Sequence, residues 1–117
     1  MAYTDANCVT HMIPFRARAT LTGTATAAIV ASTAGVRVLV TKVVASNSGT
    51  STNTKLQLFF GSDTTPFVKQ IVYGGSALQS TFTDPPKIGG NGQGVVGSLS
   101  VAVTDVEVDI DGYVDRV

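Results

Sequence analysis

At 117 residues the chain has room for one domain built around a single core, and for no second one. Its eight basic and eight acidic side chains cancel, which removes the electrostatic ground for expecting nucleic acid, an anionic membrane or a highly charged substrate. Charged residues make up only 14% of the chain, against about 25% in ordinary soluble domains, and Thr, Gly and Ser stand in their place; such a surface costs little to desolvate, which suits extensive contact with other protein.

The first residues, MAYTDANCVTH, carry neither a basic nor an apolar leader region, and no apolar run approaches the roughly 20 residues that span a bilayer, so neither secretion nor membrane anchoring is expected. Cys8 is the single cysteine, so the fold has to stand on packing without an intrachain disulfide. Residues 1–14 show no usable period and end at Pro14; they read as an extended arm leading into a domain of residues 15–117. Phe15, Ala17, Ala19 and Leu21 then alternate with Arg16, Arg18, Thr20 and Thr22, the period of a half-buried strand with both arginines on its outer face. The segment TATAAIVAS has Ala-rich helical propensity, but its threonines and the Ile29-Val30 pair favour a strand.

The stretch from Gly35 to Asn47, GVRVLVTKVVASN, is the longest run dominated by β-branched residues. Val36, Val38 and Val40 share one parity, Leu39, Val43 and Ala45 the other, which predicts a central strand covered on both faces. The phase changes near Thr41 and Lys42, and a bulge there would shift which side chains meet the core. A polar loop, Ser46 to Thr54, leads to KLQLFFG and FVKQIVY, a hairpin with a Pro-bearing connection, and ALQSTFT follows a Gly-Gly turn. Asp84 to Gly94 is irregular, with two prolines that cannot extend a ladder. VVGSLSVAV puts Val95, Gly97, Leu99, Val101 and Val103 on one side, and the last strand points Val106, Val108 and Ile110 inward and Asp105, Glu107, Asp109 and Asp111 outward. About seven to eight short strands with turn signals between them, and no helix, predict an all-β antiparallel sandwich or jelly roll.

Little catalytic chemistry emerges. GQGVVG at 92–97 matches a phosphate-loop pattern, but a strand follows it where the anion site needs a helix N-terminus. The acidic row cannot converge on one cation from a single strand, because alternate residues stand roughly 6 to 7 Å apart. Opposite charges would instead meet if the first and last strands pair, within a chain or between copies, setting Arg16 and Arg18 against Asp105, Glu107, Asp109 and Asp111. Cys8 and His11 suggest a nucleophile and base, or half a metal site, yet no further Cys or His exists to complete either. No enzyme, cofactor or metal is expected.

From Thr24 to Val117 the order of pieces, with GVRVLVTKVVASN, KLQLFFGSDTTPF, YGGS, FTDPPKIGGNGQGVVGSLSVAV and a closing strand ending GYV before Asp115, resembles small β-sandwich structural proteins of tailed-bacteriophage virions. That resemblance implies a capsid decoration, or cement, protein on the capsid exterior, assembled in the host cytoplasm, which binds across junctions of the major capsid protein as a homotrimer and stabilises the head. On the balanced charge and the absence of a bilayer-length apolar run, no nucleic-acid or membrane partner is expected. The alternative is a tail or fibre component that recognises a host through the loops at Ser46 to Thr54 and Asp84 to Gly94. On the decoration reading residues 1–14 form a strap to a neighbour, with Tyr3 and Met12 as anchors, and the charged residues of the first and last strands are further candidates for protein contact.

Overall fold

The computed structural model describes residues 2–49, 52–83, 85–103 and 105–116, so residues 50, 51 and 84 of the two expected recognition loops lie outside the described residues, as does residue 1 of the expected arm. Eleven strands run through the described residues: β1 (Tyr3–Thr4), β2 (Thr10–His11), β3 (Ile13–Leu21), β4 (Ala27–Val30), β5 (Val36–Asn47), β6 (Thr54–Phe60), β7 (Val68–Val72), β8 (Ala77–Thr81), β9 (Lys87–Ile88), β10 (Val95–Leu99) and β11 (Val106–Arg116). Eight of these are the strands that the period-2 pattern predicts. The other three, β1, β2 and β9, are two-residue pairings too short to carry any period.

Two antiparallel sheets stack on a common core. One has the order β4-β10-β6-β7, the other β3-β11-β5-β8 with β9 also on β5. Among the eight longer strands the pairs nest, β3 with β11, β4 with β10, β5 with β8 and β6 with β7, as in one long hairpin rolled up. That wrapping defines a jelly roll. The molecule is elongated, 54 × 23 × 19 Å, because β5 and β11 run as a long central pair.

Alternation along β11 puts Val106, Val108 and Ile110, all fully buried, against Leu21 of β3, Val43 and Ala45 of β5, and Leu56, Leu58, Val95 and Leu99 of the opposite sheet. The two halves of β5 also meet this core together. Asp111 pairs with Lys42 and Gly112 with Val40, so Thr41 is the extra residue of a bulge. Its hydroxyl donates to the Asp111 carbonyl at 3.1 Å, and its own carbonyl accepts the Phe82 amide at 2.7 Å. The shift of phase brings Val38, Val40, Val43 and Ala45 into one core cluster, so β5 is not apolar on opposite faces as its parity predicts. Leu39 alone is left buried on the outer side, opposite Tyr113 and Ile88.

The expected strand through Val103 ends earlier, at Leu99. Beyond it the Thr54 side chain replaces the ladder, donating from Oγ1 to the Val101 carbonyl at 2.9 Å and accepting the Val101 amide at 3.2 Å. Val101 is consequently 48% exposed. Near the other end of β10, Gly94 passes so close to β4 that a Cβ there would stand 2.1 Å from the Val30 carbonyl oxygen, which makes this glycine of the pattern a packing requirement.

Candidate functional site

The outer face of the long sheet gathers most of the charged candidates. β3 and β11 pair in a register that sets Arg18 opposite Asp109 and Arg16 opposite Asp111, so the opposite charges predicted to meet do so within one chain. Arg18 Nε donates to Asp109 at 2.7 Å, with a second bond from its NH2 group at 3.3 Å, and Arg16 Nε donates to Asp111 at 2.8 Å. Both guanidiniums are held above their ordinary pKa, first by these hydrogen bonds and then by the charge of the same carboxylates. Glu107, across from Thr20 and Ser46, stays exposed. Asp105 leaves this face to brace the polar loop, accepting the Ser48 hydroxyl at 2.6 Å. At the bulge an open hollow of about 420 Å³ lies between the Arg16–Asp111 pair and Tyr113.

A second cluster lies at the far end of β11. Residues 2–12, expected as an extended arm, form a small hairpin in which Tyr3 pairs with His11 and Thr4 with Thr10. Asp5 shapes its turn, because Oδ1 accepts the amides of Asn7 at 2.8 Å and Val9 at 3.0 Å, an Asx turn that the Asp-Ala-Asn sequence favours. The other Asp5 oxygen accepts from His11 Nε2 at 2.8 Å, while His11 Nδ1 meets Asp115 Oδ1 of β11 at 2.6 Å. Arg37 of β5 donates to the remaining Asp115 oxygen at 3.1 Å, and Tyr3 stacks on the imidazole with ring centroids 5.0 Å apart.

Carboxylates only accept, so an imidazole facing one at each nitrogen donates twice and is an imidazolium. Its pKa is raised above 6.5, first by the hydrogen bond to Asp5 and then by that to Asp115. The Asp5 carboxyl is held below its ordinary value by His11 and by the Val9 amide. For Asp115, burial pushes upward, but the bonds from His11 and Arg37, the charge of His11 and the Met12 amide together outweigh it and leave the group below its usual range. Asp115 is 6% exposed, so the cluster is a paired charge in a largely covered position.

His11 therefore faces carboxylates with both ring nitrogens, and the Cys8–His11 pairing weighed from the sequence is not the one formed; Cys8 sits exposed in the hairpin turn with φ of 62°. Among the described residues no group of three His, Cys, Asp or Glu side chains is arranged to hold a metal ion. Of the two arm residues expected as anchors, Tyr3 is 54% exposed and Met12 is half-buried with φ of 52°, at the joint between hairpin and domain. Sequence reading missed Asp5, Arg37 and Asp115. Only Asp115 left a signal, since it continues the odd-numbered phase of the acidic row past Tyr113.

The other sheet presents a different surface. Ile71 and Tyr73, 47% and 57% exposed, lie at and just beyond the end of edge strand β7, beside Lys55 of β6 and near Asn53, whose side chain accepts the Gly74 amide.

No family model and no curated protein matches the sequence. Among solved structures, the chain is similar to one in the acid-stable capsid structure of Helicobacter pylori bacteriophage KHP30, with a TM-score of 0.64 and 16% sequence identity. The likeness covers 92% of this chain and 94% of that one, so the two share a fold from end to end.

Proposed function

We propose that the chain is a structural protein of a bacteriophage virion and, more specifically, a decoration protein that binds the outside of the head across junctions of the major capsid protein. The observation that carries this reading is the end-to-end likeness to a chain from a phage capsid, with neither chain having a large segment left over. The surface supports it. Charges are few, and Arg16, Arg18, Asp109 and Asp111 already pair within the chain, so covering those four strips no lone ion of its water and leaves Glu107 as the exposed carboxylate of this strand for a partner to meet. Tyr3, Ile71, Tyr73, Ile88 and Val101 are large apolar side chains at least 47% exposed, the residue types that anchor interfaces.

The mechanism on this reading is mechanical. A protein bound across a seam has to be released, or its contacts broken, before the shell opens, so binding stabilises the closed shell by mass action. A homotrimer matches junctions where three capsid subunits meet, and the N-terminal hairpin, with Tyr3 exposed, is the candidate strap to a neighbour. Co-sedimentation of the purified chain with preformed empty heads tests the reading. The expected result is saturable binding and a higher shell melting temperature. Absence of shell binding, with binding to tails or host cells instead, would replace this reading by that of a tail or fibre component.

A further inference from the structure

We propose that residues 2–12 are a protonation-gated clasp, docked on the end of β11 while His11 is an imidazolium and released when it becomes neutral. This stands on the chain's own geometry and does not rest on the virion reading. Among the described residues the hairpin and the body of the domain are joined by one side-chain bridge between charges, His11 Nδ1 to Asp115 Oδ1 at 2.6 Å, and the groups around it are Tyr3 from β1, Asp5 from the turn, the Met12 amide at the joint, Asp115 from β11 and Arg37 from β5.

A neutral imidazole has one N–H, and two carboxylates then compete for it. Both have alternatives that leave the bridge unmade. Asp115 keeps Arg37, which belongs to the body, and Asp5 keeps the Asn7 and Val9 amides, which belong to the hairpin. Loss of the proton thus leaves each carboxylate with partners on its own side and removes the charge bridge between them, so that only the Met12 amide, at the joint itself, still meets Asp115. The joint adds a second reason for release. Met12 holds a φ of 52°, a left-handed conformation unfavourable for a residue with a side chain, which persists only where surrounding contacts impose it. Once detached, strands of two residues are too short to hold their own pairing.

The signs fix a window. Because the folded pKa of His11 is raised, its contribution is fully present below its unfolded value of 6.5 and is lost as pH rises through the raised value. Because Asp5 and Asp115 are lowered, their contribution is present above the unfolded value of 3.8 and fades as pH falls through their folded values. The clasp is closed between these limits and opens on either side.

Nuclear magnetic resonance on the full chain tests this. The His11 ring resonance is followed against pH together with protection factors, corrected for intrinsic exchange, of the Asp5 and Cys8 amides that close the hairpin turn. The expected result is a His11 inflection above 6.5 and a fall of about tenfold or more in hairpin protection as pH passes it, while Val108 and Ile110 in β11 hold theirs. In His11→Gln the hairpin is expected to be unprotected throughout, and in Asp5→Asn, which keeps the Asp115 bridge, the His11 inflection is expected to move down. Hairpin protection that stays flat through the His11 inflection, a His11 inflection at or below its ordinary value, or wild-type protection in His11→Gln overturns the proposal.

Discussion

One backbone position decides how close the two central strands of the long sheet can come. At Gly112 the bulge brings the β5 backbone so near that a Cβ would stand 1.9 Å from the Leu39 carbonyl oxygen, and backbone cannot move aside as a flexible side chain can. Gly23 is the contrast, since a Cβ there meets nothing within 4 Å. The same substitution should therefore have unlike effects. Gly112→Ala is expected to cost about 3 kcal/mol by forcing β11 away from the bulge, and Gly23→Ala to stay within about 0.5 kcal/mol. Urea unfolding of the two variants measures the difference, and equal midpoints would show that β11 and β5 are not as close at Gly112 as described.

At the scale of elements, β3 is the strand at the open edge of its sheet, and its arginines lie over β11. These ion pairs look prominent, but Arg16 is 76% and Arg18 65% exposed at the side chain, where water and salt screen the attraction. Arg18→Ala is expected to lower stability by about 0.5 kcal/mol or less, with the difference shrinking further in high salt; a loss above about 2 kcal/mol would mean that the pair is shielded from solvent. Their larger role is to place charge along an edge that could otherwise pair with another strand. The Arg16 and Arg18 pairing with Asp111 and Asp109 was legible because both strands alternate strictly, so parity alone put the four side chains on outer faces. The same rule misled at Leu39, Val43 and Ala45, where the unpaired Thr41 reverses parity, although the change of phase was itself visible. The hairpin of residues 2–12 left no such trace. Its strands have two residues each, and the contact that docks it joins His11 to Asp115 across 104 positions of sequence, a proximity set only by the nested wrapping of the sheets.

Across the whole molecule the hairpin is an addition to the jelly roll and not part of its closure. The core cluster contains none of residues 2–12, and β3 begins its pairing with β11 at Ile13 opposite Val114. Removing residues 1–12 uncovers Asp115 and Arg37, which remain paired with each other and gain water, so no orphaned buried charge is left behind. The truncated chain is expected to keep a cooperative melting transition within about 1 kcal/mol of the parent. If the hairpin is the strap to a neighbouring subunit, the truncation should at the same time weaken binding to empty heads by about tenfold or more. A broad or absent transition would place the hairpin inside the folding unit. An unchanged transition with unchanged shell affinity would remove the strap from the account and leave shell binding to the sheet faces, where Tyr73, Ile71 and Ile88 become the side chains to truncate next.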